Sequence, residues 1–170
     1  MTPSGTLILG WGNPGRLDDG LGPAFVEILQ TLDLPGVEVD SDYQLQIEDA
    51  AEVASFQRVV FVDADRTGAE PFWLRRLDAS PSGARAASFT THSVSPSAIL
   101  TMSRELFDAE PEGWLLGIRG YEFSDFGEGL SDRARRNLLQ AVEFVSSALR
   151  TGNFQSAEPT VDSRADSPRL

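Results

Sequence analysis

Arg58-Val-Val-Phe-Val-Asp63 sets four apolar residues in succession between two charged ones. A strand with one wet face alternates apolar and polar residues. An unbroken run therefore reads as a parallel strand covered on both faces. Working outward, Thr6-Leu-Ile-Leu-Gly10 is a second buried strand, ended by the turn Gly12-Asn-Pro-Gly15. Leu21, Phe25, Ile28, Leu29 and Leu32 then recur at helical spacing, and Val37-Glu-Val-Asp40 reads as a strand. Ile47, Ala50, Ala51, Val53 and Ala54 suggest a second helix, and Phe72–Leu77 an edge strand. Residues 78–92, rich in Ala, Ser, Pro and Gly, read as a long loop ending at His92. Ser95 or Ser97 can cap a helix through Ile99, Leu100, Met102 and Leu106, and Trp114–Ile118 is a further strand. Ser131 or Asp132 can cap a last helix whose stripe is Leu138, Leu139, Val142, Val145 and Leu149. Strand and helix thus alternate, which implies an α/β fold of three layers, with a twisted, mostly parallel sheet between helices. Residues 1–150 are expected to form one domain. From Thr151 to Leu170 the periodicity stops, and a disordered tail is expected.

Composition excludes much. The chain has 170 residues, 41% of them hydrophobic, which is an ordinary globular balance. It has no cysteine, so disulfides, zinc fingers, iron–sulfur clusters and thiol nucleophiles are ruled out. All 14 basic residues are arginine, which rules out a Schiff-base lysine and a phosphate-loop lysine. The net charge is −12. It is uneven: residues 1–65 carry twelve acids against Arg16 and Arg58, a local charge of −10. A phosphate backbone would be repelled, so no nucleic-acid partner is expected, whereas a cation or a basic peptide suits this half. No apolar run approaches the roughly 18 residues of a membrane span. No basic segment followed by an apolar stretch opens the sequence, and a cytoplasmic protein is expected, a monomer by default.

Ligands of open α/β sheets sit beyond the carboxyl ends of the strands. Three polar features fall there: Asp18-Asp19-Gly20 after the first strand, Asp63 and Asp65 at the end of the buried strand, and His92, the single histidine. Two carboxylates and one imidazole from separate segments can converge on one divalent cation, with oxygen and nitrogen ligands suited to nickel, zinc or manganese. The bland readings compete. Asp18 or Asp19 can cap the following helix, Asp63 can form a turn, and a lone loop histidine is commonly plain surface. The two carboxylates can also share a proton and activate water as an aspartic pair. Gly10-Trp-Gly12-Asn-Pro-Gly15 matches the spacing of a dinucleotide loop, but Pro14 lacks the N–H donor that a pyrophosphate needs, and two acids follow it.

These features together resemble the [NiFe] hydrogenase maturation protease family. The resemblance rests on Gly10-Trp-Gly-Asn-Pro-Gly-Arg-Leu-Asp-Asp-Gly-Leu-Gly22, Val59-Val-Phe-Val-Asp-Ala-Asp65, Thr91-His-Ser-Val-Ser-Pro96 and Gly117-Ile-Arg-Gly-Tyr-Glu-Phe123, ahead of Gly127-Glu-Gly-Leu-Ser131, in order over roughly residues 5–150. It implies a metal and catalytic site made by Asp19, Asp63 and His92. It implies an endopeptidase whose partner is a nickel-loaded hydrogenase large-subunit precursor, from which a short C-terminal extension is cut after a basic residue. Nickel is then either cargo of that precursor or bound at the site, and other divalent ions can substitute. The loop Gly120–Gly129, with Tyr121, Phe123 and Phe126, is a candidate peptide-contact surface, or simply aromatic packing.

A strand followed by Gly-Asn-Pro-Gly also resembles peptidyl-tRNA hydrolase. That family continues with an Arg-His-Asn element and a basic groove, whereas this chain has Asp18-Asp19-Gly20 and an acidic N-terminal half. A third reading keeps the three ligands and drops the hydrolysis, leaving a nickel-sensing chaperone of the precursor.

Overall fold

The computed structural model describes residues 3–79 and 94–158. Among these residues five strands form one sheet: β1 (Thr6–Trp11), β2 (Val37–Asp42), β3 (Arg58–Asp65), β4 (Phe72–Leu77) and β5 (Glu112–Arg119), in the order β2-β1-β3-β5-β4. The four strands β2, β1, β3 and β5 are parallel, and β4 closes the edge antiparallel to β5. Among the described residues four α-helices cover it: α1 (Leu21–Thr31), α2 (Asp49–Val53), α3 (Pro96–Phe107) and α4 (Asp132–Thr151).

The apolar runs are continuous because both faces are covered. Ile8, Val60, Val62, Leu116 and Ile118 point to one side and pack with α1 and α4 through Phe25, Leu29, Leu138 and Val145. Leu7, Leu9, Val59 and Phe61 point to the other and pack with α2 and α3 through Val53, Ile99 and Met102. Neighbouring residues on a strand thus serve opposite cores, which gives the three layers expected.

Two caps resolve as the alternatives allowed. Ser95 caps α3 by accepting from the Ala98 N–H at 3.1 Å, and Ser131 caps α4 by accepting from the Ala134 N–H at 3.3 Å. At the other end, α4 reaches Thr151 and stops at Gly152, whose φ of 72° suits glycine. The chain does not leave the sheet there. Phe154 packs on Trp114 with ring centroids 5.7 Å apart, and Ala157 exchanges backbone hydrogen bonds of 2.7 and 3.0 Å with Leu74. Residues 151–158 therefore extend the folded unit past residue 150, where helical periodicity ends. The Phe154 ring contacts with Trp114 and Arg58, the β-bridge and the Arg75–Glu158 ion pair hold them, and none leaves a periodic trace. Residues 159–170 of the expected tail, and residues 80–93 of the expected loop with His92, lie outside the described residues.

The β1–α1 connection positions the site. Neither Asp18 nor Asp19 caps α1, contrary to the capping alternative. Asp18 lies in a short 3₁₀ turn (Leu17–Gly20) and is fully buried, at 0% exposure. Its carboxylate accepts from the N–H groups of Tyr121, Glu122 and Ser131 at 2.8, 3.0 and 2.8 Å, and from the Ser131 hydroxyl at 2.8 Å. A residue of the first turn thereby anchors the loop between β5 and α4. Gly12, at φ 142°, lets the preceding turn fold back against the Asp19 backbone, where a Cβ would overlap its carbonyl oxygen.

Burial raises the Asp18 pKa, but the four hydrogen bonds outweigh it and hold the carboxyl below its ordinary 3.8. Its stabilisation is then complete above that value and fades as pH falls through the lower folded value. Asp18→Ala, which removes the acceptor shared by three part-buried N–H groups, is expected to cost on the order of 3 kcal/mol in urea unfolding at neutral pH. Asp18→Asn should also flatten the acid limb of the stability–pH curve below about pH 4.

Candidate active site

Asp19 and Asp63 stand at the carboxyl ends of β1 and β3, where the fold places ligands. Asp19 is half-buried, and its Oδ2 accepts from the Asn13 N–H at 2.9 Å. Asn13 is itself set by its Oδ1, which accepts from the Gly15 N–H at 2.8 Å. The Gly12–Gly15 turn that formally matched a dinucleotide loop therefore serves to orient a carboxylate.

Asp63 is half-buried, and its Oδ1 accepts only from the adjacent Ala64 N–H, at 2.8 Å, among the described residues. Burial pushes its pKa up to about 7, and the negative charges of Asp19 and Asp65 add to the rise. The Ala64 N–H and the Arg66 guanidinium oppose it without prevailing. Asp65, two residues on, behaves oppositely. Burial raises it too, but the Trp73 indole at 2.6 Å and the N–H groups of Thr67 and Gly68 at 3.1 Å outweigh that and hold it below the usual range. Asp65 is thus committed to shaping the loop after β3, whereas Asp63 lacks such donors and its carboxyl is raised.

A cleft of about 230 Å³ opens over Asp63, walled by Trp11, Trp73, Asp65 and Pro96 and floored by Gly117. Gly117 pairs with Trp73 in register, and a Cβ there would overlap the indole. The glycine therefore lets the ring lie flat across β5 beside the carboxyl. From sequence Trp73 was read only as an edge-strand residue and Trp11 only as part of the Gly10–Gly15 motif. The one signal for Trp73 was Gly117 inside an otherwise apolar strand, which marks a close approach. A larger cavity of about 620 Å³ lies between β4 and the end of α4, lined by Phe72, Phe144 and Gln155, and it holds neither Asp19 nor Asp63.

Among the described residues no three carboxylate or imidazole groups gather to hold a metal ion. The structure brings Asp19 and Asp63 within electrostatic reach of each other. The expected third member, His92, is outside the described residues. In the loop after β5 the two readings divide by residue. Phe123 is 8% exposed and Tyr121 is hydrogen-bonded by Asn137 at 2.9 Å, so both pack, while Phe126 is 83% exposed.

Solved structures share this architecture. The hydrogenase maturating endopeptidase HybD from E. coli superposes with a TM-score of 0.67 over 94% of this chain and 99% of its own, at 22% identity. The fold is that of the hydrogenase maturation endopeptidases. The [NiFe] hydrogenase maturation protease HycI from Thermococcus kodakarensis gives 0.63 over 86% and 92%, at 23% identity. A hydrogenase 2 maturation peptidase from a Thaumarchaeota archaeon gives 0.60 over 85% and 97%, at 22%. No family model and no curated protein matches the sequence. No helix among the described residues is long and apolar enough to cross a membrane.

The Asp63 shift predicts a stability signature. A carboxyl whose folded pKa exceeds its unfolded value costs stability as pH rises from 3.8 towards about 7, and the cost is constant above that. Asp63→Asn keeps the shape and removes the charge. It is expected to stabilise the protein by about 2 kcal/mol at pH 8 and hardly at all at pH 4, measured by urea unfolding at both pH values.

Proposed function

We propose that this chain belongs to the [NiFe] hydrogenase maturation proteases. It acts on a nickel-loaded large-subunit precursor and removes its C-terminal extension by hydrolysis of one peptide bond. The observation that carries this reading is Asp63, held near neutrality in a two-tryptophan cleft beside Asp19, at the carboxyl end of a sheet with the maturation-endopeptidase fold. His92 completes the set; Pro96, four residues after it, lines the same cleft.

Nickel enters as cargo of the precursor. Two carboxylate oxygens and an imidazole nitrogen suit such a borderline cation. A cation arriving near Asp63 would also offset the burial and the like charges that keep its carboxyl protonated. Site occupancy and correct nickel loading are then linked, because the charge that Asp63 resists alone becomes favourable beside the ion. Toward the scissile bond, the two carboxyl groups can divide the roles of base and acid. One takes a proton from the attacking water, and the other gives one to the departing amine nitrogen. The acidic N-terminal half, at −10 over residues 1–65, favours approach of the cation-bearing segment. We place the activity in the cytoplasm and in a monomer.

Incubation with nickel-loaded precursor, followed by intact mass, tests this directly. The precursor should lose the mass of its extension. Asp19→Asn, Asp63→Asn and His92→Gln should each lower kcat/KM by at least about a hundredfold, with unchanged far-ultraviolet circular dichroism. Undiminished cleavage by all three would overturn the assignment. A stable complex with uncut precursor would instead make the chain a nickel-sensing chaperone.

A further inference from the structure

Among the described residues seven arginines lie over aromatic rings, and their other contacts divide them. Arg58, Arg75, Arg76 and Arg133 each also meet a glutamate. Arg119 donates to the carbonyl oxygens of Gly68 and Gly120. Arg16 and Arg66 differ: among the described residues neither guanidinium makes an ion pair or a hydrogen bond.

Stacking orients what it leaves open. The Arg16 Cζ stands 5.2 Å from the Phe126 ring centroid, and the Arg66 Cζ 4.5 Å from that of Phe123. A guanidinium lying on a ring keeps its N–H fork free, with part of its entropy already lost. That fork matches a carboxylate through two parallel hydrogen bonds. Both rings sit on the loop that Asp18 anchors, so the two arginines rest on one braced surface. Each belongs to a segment that carries one of the two carboxylates. The Arg16 carbonyl accepts from the Asp19 N–H at 3.2 Å, and Arg66 lies three residues beyond Asp63, which its charge reaches. The loop's own acids, Glu122, Asp125 and Glu128, pair with neither arginine.

We infer that Arg16 and Arg66 are carboxylate grips at the rim of the cleft, holding an acidic side chain or a free C-terminal carboxylate of the peptide that enters it. That the peptide is the precursor's extension rests on the processing reading; the binding itself does not.

Nuclear magnetic resonance of the arginine Nε–H groups in the full-length chain tests it with two pentapeptides. One carries two glutamates between capped ends. The other has glutamines in their place and a free C-terminal carboxylate. Saturable shifts of the Arg16 and Arg66 signals with either peptide support the proposal and identify which carboxylate is held. The ion-paired Arg58 and Arg133 should stay still. Arg16→Gln/Arg66→Gln should weaken binding at least tenfold, and the lysine pair should not restore it, because the planar fork is lost. No shift with either peptide, or equal binding by the double variant, overturns the proposal. In precursor cleavage Arg16→Gln alone, which leaves the Arg66 charge near Asp63 in place, should raise KM with kcat unchanged. If the wild-type chain cleaves no precursor while the peptide shifts persist, the processing reading falls and the grips stand.

Discussion

The buried carboxylate of Asp18 is the interaction on which the site depends. Four hydrogen bonds converge on it from the segment between β5 and α4, and none comes from its own helix. An ionised group without solvent exposure is tolerable only when fully satisfied, so these donors must come together for the chain to fold. The consequence reaches further than stability. Ser131 both donates to Asp18 and caps α4, so one bond cluster sets where the last helix begins. The loop bearing Phe123 and Phe126 is braced against the turn bearing Asp19. Two regions more than a hundred residues apart are thereby tied together.

The molecule uses its aspartates in pairs with divided roles. Asp18 is saturated with donors, while its neighbour Asp19 accepts from a turn N–H. Asp65 is saturated by an indole and two loop amides, while Asp63 keeps one local donor and carries the cost of burial. In each pair one carboxylate builds the frame, and in the second pair Asp63 is left under-compensated within it. A fold optimised for stability alone would not retain Asp63 as a half-buried acid facing two others. Such local inconsistency is expected where a group is kept for its reactivity.

Much of the architecture was legible in the order of residues. The unbroken apolar runs of β1 and β3 required cover on both faces, and the alternation of strands with helical stripes left a three-layer sheet as the natural outcome. Ser95 and Ser131 were legible as caps because capping is local chemistry. The candidate site was legible only as a set of segments: Asp18-Asp19 after one strand, Asp63 and Asp65 at the end of another. Nothing in the local sequence distinguishes Asp18 from Asp19. The donors that separate them lie beyond residue 120, and their arrival is a property of the folded chain.

The same division explains the segment after residue 150. Its hold on the sheet includes Phe154 against Trp114 and Arg58, Ala157 beside Leu74 and the Arg75–Glu158 ion pair, long-range contacts with no periodicity to announce them. Trp73 likewise looked like an ordinary strand residue until its register partner proved to be Gly117. By itself the sequence determined the elements, their order and the chemical kinds available at the strand ends, because those follow from near-neighbour periodicity and side-chain type. Only the tertiary structure decided which acid is braced, which is strained and which ring walls the cleft, because burial and hydrogen-bond supply are set by residues distant along the chain.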